Sequence, residues 1–546
     1  MRSRFMTMGI SAALACVAAA GQVSAAPLPG WVPSQTQLDA MIQEALRPFE
    51  WTTLVPSPDS RLIFVSSSEG NDANDGLSPE RPVRTIARGC ELLRDGEPDW
   101  LLLKRGDVWE ENIGWWGKSG RSASERMVVT SYGEGDRPRL LTGTSSVMSM
   151  SNNTPRRFLA FTGFSATPHE RTPSDSPSGM IMLSGGQDVL LEDLEISGYK
   201  DNIVIQGGAW KNVAVRGCVV TDAWSATSHS QGIFVRNTEG LVVEGCVFDH
   251  NGWNESVAGA EATIFNHNMY LQTKQGPAVV RGNFVARASS HGLQARSGGD
   301  VSGNVWVLNA LNILLGGGKS PTPGGVSGRV VGNAIVAARD LSATAPRGLG
   351  IQVVNISEDG VVVARNLLGY NQGSGPRGIQ IQPNGNAPAV GVQRCFVTQN
   401  VMHEWGRGVE ISQPDEGQVL EGVVVLRNQF SGSTTQMMAK APADALGVVT
   451  FAGNLYSCGT PSANAFQLAG DGKLDFHEWV ATVEQDAQWD TAVSLPDTLP
   501  ELLRWAPSDI ASGSLEDLIE HFRGMRRGGE VEPDDIARLR RAWIGS

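Results

Sequence analysis

Residues 266–304 read NHNMYLQTKQGPAVVRGNFVARASSHGLQARSGGDVSGN and hold one short unit twice. Each copy has a turn, a three-residue strand, a loop, a second apolar strand and then asparagine. The first copy contains Met269-Tyr270-Leu271, Ala278-Val279-Val280 and Asn283; the second contains Leu293-Gln294-Ala295, a strand around Val301, and Asn304. Outward from this pair the unit recurs between Asp188 and Asn454. Its first strand gives Ile203-Val204-Ile205, Ile233-Phe234-Val235, Ile313-Leu314-Leu315, Ile351-Gln352-Val353, Ile379-Gln380-Ile381 and Val409-Glu410-Ile411. Its second strand leads to one position, read as Asp193, Cys218, Cys246, Asn283, Asn304, Asn333, Asn366, Asn400, Asn428 and Asn454, at spacings of 21 to 37.

Such spacings belong to stacked supersecondary repeats. A strand of three residues cannot bury its apolar face alone. Coiling the chain so that each strand lies about 4.8 Å from its copy in the next turn buries one continuous core and pairs the backbone between turns. Asparagine at an inward bend can bond both its neighbours and the turn backbone.

The N-terminus, MRSRFMTMGISAALACVAAAGQVSAAPLPG, has early arginines, an apolar run from Ile10 to Ala20 and small residues before Ala26. This is the pattern of a secretory leader cleaved after Ala25, so the expected destination is secreted or periplasmic. No later run is long enough for a membrane span. The expected organisation is a leader at 1–25, an N-terminal helical cap at 26–60, the coil at 61–490 and a C-terminal helical tail at 491–546. Ser34 and Gln37 form a capping-box start for the first helix, and Pro533 sits at the start of the last.

A formal charge of −13 counts against nucleic acid as a partner. The six cysteines, one of them in the leader, show no zinc spacing and no disulfide framework; Cys218 and Cys246 are expected to pack in the core. DGKLDFHE, residues 471–478, resembles a calcium loop but places Gln467 and Ala469 where carboxylates are required.

Near the start, Val65-Ser66, Gly70-x-Asp72-x-Asn74-Asp75-Gly76, Thr85-Ile86, Gly106-Asp107 and Trp109-x-Glu111 follow one another. This order resembles the opening of secreted right-handed parallel β-helix proteins of the pectate-lyase-like superfamily. The fold class expected is therefore all-β, a right-handed parallel β-helix with short helical caps at both ends.

Strand alternation turns the middle residue of each triplet outward. The outward rows are then Val204, Phe234, Tyr270, Gln294 and Gln206, Arg236, Gln272, Arg296. Aromatic faces, amides and guanidinium groups in an open groove suit an extended saccharide. Trp109, Trp115 and Trp116 are candidates to extend that surface. His267 and His291 occupy the same repeat position, beside Tyr270, Lys274 and Arg296, and His229 lies in the preceding turn.

Lys274, the Asn-ended strand at Asn283, and Arg296 within His291–Gly299 resemble the lysine and arginine of successive turns in alginate and dermatan lyases of the chondroitinase B type. The resemblance implies that Lys274 and Arg296 act as base and acid. No cofactor is assigned; Ca2+ stays open, since Met269 and Tyr270 stand where that family places a calcium-binding carboxylate.

The expected function is a carbohydrate-active enzyme, a lyase that cleaves a uronate-containing polysaccharide by β-elimination, acting as a monomer. Its candidate catalytic residues are Lys274, Arg296, His267, His291 and Tyr270; Arg236, Gln272, Gln294, His229 and Arg287 are the candidate substrate-binding residues. Arg287 and Arg296 would depress the Lys274 amine by like-charge repulsion. A glycoside hydrolase of the same architecture would instead use Asp222, Asp249 and Asp201, with Glu255 and Glu261 nearby. A non-catalytic glycan-binding or structural coil is the third alternative.

Overall fold

The computed structural model describes residues 28–546 apart from 318–320, 376, 384–388, 433–436, 443–446, 458–464, 470–471, 491–494, 511–512 and 545–546. The expected leader lies outside the described residues. Among the described residues three sheets of 17, 14 and 14 strands run along the molecule, called here sheets 1, 2 and 3. One turn shows how the chain visits them. His267–Leu271 lies in sheet 2, Ala278–Arg281 in sheet 1 and Phe284–Ala286 in sheet 3, and His291–Ala295 returns to sheet 2. Successive turns pair in parallel, and the chain is a right-handed parallel β-helix.

The aligned triplets stack in register. Ile203, Ile233, Met269, Leu293, Ile313, Ile351, Ile379 and Val409 sit one above the other, all fully or almost fully buried. Each such side chain contributes about 1.5–3 kcal/mol relative to an exposed one, which is why short strands suffice.

The asparagine row forms a continuous ladder. The side-chain amide of each Asn from Asn283 to Asn428 donates to the Oδ1 of the next at 2.9–3.0 Å. That same oxygen accepts the backbone N–H of the preceding Asn. The ladder ends on Glu484, whose Oε1 accepts both the backbone and the side-chain N–H of Asn454, at 2.8 and 2.9 Å. Tyr456 and Trp479 donate to the other oxygen.

One position of the expected row is out by one. Glu192 pairs with Arg216, so Asp193 matches Gly217, and Leu194 is the counterpart of Cys218. Asp193 instead takes the left-handed turn conformation that glycine takes one turn later, φ +55° at both Asp193 and Gly217. Aspartate tolerates that region because its side chain is short and polar. Cys218 and Cys246 are free thiols that stack in the core, the Cys218 N–H donating to the Cys246 Sγ at 3.4 Å.

Two short helices close the coil. Ile86–Leu92 covers one end, with Gly89 so close that a Cβ would fall 2.6 Å from Leu101 and 2.8 Å from Val65. Phe476–Thr482 covers the other, with Trp479 stacked on Phe466 at 4.9 Å. Its capping box, Asp475 with Glu478, is the local role of the DFHE motif.

The longer helices lie elsewhere than expected. Gln35–Ala45 has its capping box, Ser34 with Gln37. It rests on the flank of sheet 1, against Val331, Ala364, Phe396 and Val424, instead of closing an end. The tail helices Leu515–Arg523 and Pro533–Ile544 lie on the flank of sheet 3, where Phe522 stacks on Phe284 at 4.4 Å. An amphipathic helix needs an apolar surface, and both flanks offer outward Val, Ala and Phe that sequence alternation alone reads as exposed. Trp51 and Glu532 tie the two extensions together, the indole N–H donating at 2.7 Å.

Candidate functional site

A cleft of about 890 Å³ runs along the outer face of sheet 2, from His229 and Phe265 to Gln380 and Asp415. Its floor is the outward column Tyr270, Gln294, Leu314, Gln352 and Gln380, one residue from each successive turn. Arg296, Arg347 and Arg377 line it, and Asp415 is the one carboxylate among its described lining residues.

His267, Tyr270, His291, Gln294, Arg296 and His229 are brought together here. The strand bends at Asn268. Asn268 and Met269 both point into the core, fully buried, while His267 and Tyr270 on either side of them line the cleft. The same bend in the next turn presents His291. The two imidazoles meet at a ring-centroid distance of 4.7 Å, with Nδ1 atoms 3.2 Å apart.

The hydrogen bonds bear on their tautomers. The backbone N–H of His291 donates to His267 Nδ1 at 3.4 Å, so that nitrogen is an acceptor and the His267 proton sits on Nε2. His291 Nδ1 lies 3.2 Å from His267 Nδ1 and 3.1 Å from Ser290 Oγ, and with the proton on that nitrogen His291 Nε2 keeps a free lone pair. Burial pushes the His267 imidazole well below its usual range, helped by the charges of His291 and Arg296. Burial, with Arg296 and Arg347, takes His291 down to about 3. Both rings are neutral near pH 7.

Tyr270 sits edge-on to His267 at 5.1 Å, with the Arg296 guanidinium 4.9 Å from its ring centre. The Gln272 amide donates to the Tyr270 hydroxyl oxygen at 2.7 Å, leaving the phenolic proton available to a ligand. Burial raises the Tyr270 hydroxyl, and Arg296 opposes the rise. Arg296 Nε and Gln294 Oε1 are buried without a hydrogen-bond partner. Among the described residues neither Arg296 nor Arg347 forms an ion pair with a carboxylate, whereas Arg377 is held by Glu410 at 3.2 Å.

Four expected site residues lie outside the cleft lining, and of these Gln272 is joined to it through its hydrogen bond to the Tyr270 hydroxyl. Lys274 is exposed in the loop beyond the strand, where its carbonyl accepts the Asn237 N–H. Arg236 is exposed one turn before Gln272. Arg287 is on the flank by sheet 3, paired with Asp249 at 2.5 Å and covered by the tail, so it is not placed to act on Lys274. The carboxylates considered for a hydrolase are also engaged elsewhere. Asp249 and Asp222 both bind Arg523 of the tail, Asp222 and Glu255 grip the two nitrogens of His250, and Asp201 is buried beside Lys200.

Sequence reasoning missed Arg347 and Arg377, although both precede a glycine at a strand start, in Arg347-Gly348-Leu349 and Arg377-Gly378-Ile379. It also missed Ile264 and Phe265, exposed at the cleft end, where Phe265 stacks on His229 at 5.2 Å. Of the three tryptophans, Trp109 and Trp116 are buried in the core and Trp115 is exposed. Among the described residues no cluster of three or more His, Cys, Asp or Glu could hold a metal ion, and no helix is long and apolar enough to cross a membrane.

Residues 162–322 match the family described as "Right handed beta helix region". No curated protein matches the chain by sequence. Among solved structures it is similar to a rhamnogalacturonan lyase, at 13% identity and TM-score 0.41 over 66% of this chain and 84% of that one. It is also similar to XylC in complex with xylose, at 11% identity and TM-score 0.42 over 79% and 86%. A third is the periplasmic alginate epimerase AlgG, at 12% identity and TM-score 0.35 over 73% and 79%. At these identities the likeness is one of fold.

Proposed function

We propose that this chain is an exported carbohydrate-active enzyme that binds a uronate-containing polysaccharide along sheet 2 and cleaves it by β-elimination. The observation that carries the reading is a pair of arginines, Arg296 and Arg347, without carboxylate partners among the described residues, in a cleft of a protein whose formal charge is −13. Unpaired cations beside amides and a half-buried tyrosine suit a sugar acid, because guanidinium groups bind carboxylates through paired hydrogen bonds.

β-Elimination requires the uronate carboxylate to be neutralised, the C5 proton to be removed and the 4-oxygen to be protonated as it leaves. In this reading Arg296 holds the carboxylate. His291 Nε2 takes the C5 proton, and its electron pair forms the C4–C5 double bond as the C4–O bond breaks. The Tyr270 hydroxyl gives its proton to the departing oxygen, and the Arg296 charge over the ring stabilises the phenolate left behind. His267 positions the base by fixing the His291 tautomer. Burial is the main cause of the low His291 basicity, and the carboxylate offsets part of the arginine charge that adds to it, so substrate strengthens the base.

The test is incubation with polygalacturonate, alginate and dermatan sulfate while following the absorbance of the unsaturated product. Turnover on one of them that disappears in Arg296→Ala and His291→Ala supports the reading. New reducing ends without the unsaturated chromophore would replace it with hydrolysis.

A further inference from the structure

We propose that Trp115 is a second saccharide-binding platform, on the same wall as the cleft but outside it, which holds a distant stretch of the same polymer. This rests on the reading of the cleft as a polysaccharide site. Trp115 begins the outward column that continues through Ser149, Ile181, Val204 and Phe234 to Tyr270. Five steps of about 4.8 Å place it ~24 Å from Tyr270 along the coil.

Its setting differs from that of a core tryptophan. Trp115 is 60% exposed, whereas its neighbour Trp116 is 3% exposed and points inward. The six-membered ring lies against Gly117, where a Cβ would fall 2.4 Å from it, so glycine leaves room for the indole to lie on the backbone. Arg156, itself buried, holds its guanidinium 5.8 Å from the ring centre and is fixed by the Trp116 carbonyl and the Asn152 side chain. A flat, exposed indole backed by a fixed cation matches the apolar face and carboxylate of a uronate ring. Its place in the column of Phe234 and Tyr270 makes the polymer, not an unrelated ligand, the occupant.

The experiment is affinity electrophoresis through gels containing polygalacturonate or alginate, with polymer-free gels as the mobility control. Trp115→Ala is expected to weaken polymer binding on the order of five- to tenfold, the size of one lost ring-stacking contact. Binding of a trisaccharide, too short to span from the cleft to Trp115, is expected to be unchanged, and Trp115→Phe should recover most of the polymer affinity. If Trp115→Ala is retarded like the unaltered protein while Arg296→Ala runs free, the platform is wrong and the cleft reading stands. Loss of trisaccharide binding in Trp115→Ala would also overturn the platform. If only Trp115→Ala runs free, the platform stands and the cleft reading falls. No retardation of the unaltered protein by either polymer overturns both.

Discussion

The Nδ1 atoms of His267 and His291, from the same position of successive turns, lie 3.2 Å apart, and in the proposed reaction a proton shared between them leaves His291 Nε2 to offer its lone pair to the cleft. His291→Ala should therefore lower kcat by about 10²–10⁴-fold, the range for loss of a positioned base. His267→Leu removes only the partner that fixes the tautomer and should cost about tenfold or less. Steady-state kinetics on the polymer identified by the substrate panel, with melting temperatures beside them, check the ranking. Equal losses in the two variants would contradict the division of roles.

The same pair makes acid stability predictable in sign. Both imidazoles are held neutral in the fold, His291 down to about 3, whereas an unfolded histidine takes up a proton near pH 6.5. Between these values the unfolded chain binds more protons, so stability falls as pH drops from about 6.5 towards 3, by up to about 1.4 kcal/mol per pH unit for each group. His291→Phe should flatten that slope. Urea titrations at pH 7, 5.5 and 4 would show it as a smaller change in midpoint than in the unaltered protein.

Arg296→Lys keeps the charge but loses the paired donors. In the proposed reaction it should raise KM and lower kcat together, by about tenfold or more in kcat/KM, since a point charge cannot hold the carboxylate in one plane. Unchanged kinetics would place the carboxylate on Arg347 instead.

Asn366 sits mid-ladder, its amide bonded to Val330 and Asn400 and its oxygen accepting two protons of Asn333. Asn366→Ala strands those groups in a dry core and should cost about 2–4 kcal/mol. Glu484→Leu, at the ladder's end, strands four donors, from Asn454, Tyr456 and Trp479, and should cost on the order of 3 kcal/mol. Chemical denaturation read by circular dichroism is the check.

Arg523 joins the tail to the coil through Asp249, which is fully buried, and Asp222. Arg523→Ala leaves Asp249 with Arg287 alone and should loosen the helix Leu515–Arg523. Limited proteolysis should then cut the tail faster, while polymer turnover stays within about twofold, because none of these residues lines the cleft.

How much of this was legible in the sequence follows from periodicity. The Ile-x-Val triplets and the asparagine row give the coil because both recur at one position per turn, and Ile203 through Val409 stack in the register that this recurrence implies. The row slipped only at Asp193, where a turn residue resembles a ladder residue. His267, Tyr270, His291, Gln294 and Arg296 were legible as neighbours because stacked repeats bring equivalent positions together. Lys274 and Arg287 were not placed correctly, since loops and bends carry no periodic signal that says which wall a side chain joins. Arg347 and Arg377 sit at strand starts, outside the periodic triplets. The flank-lying helices were beyond reach for a different reason: an apolar helix face declares that it is covered, not by what.

The clasp between Trp51 and Glu532, 481 positions apart in the chain, has a consequence for how the protein is made. A coil of this kind can wind up rung by rung as the polypeptide emerges, and the early segment carrying Phe49 and Trp51 first finds a seat on Arg216, Gly217 and Gly245 before the last helices close over it. Its aromatic side chains are therefore only half covered until the last helices arrive, the interval in which a chaperone or a protease would meet them. Maturation ends with a late closure, and before it the rungs are in place with the early brace seated on them while the tail brace still hangs free.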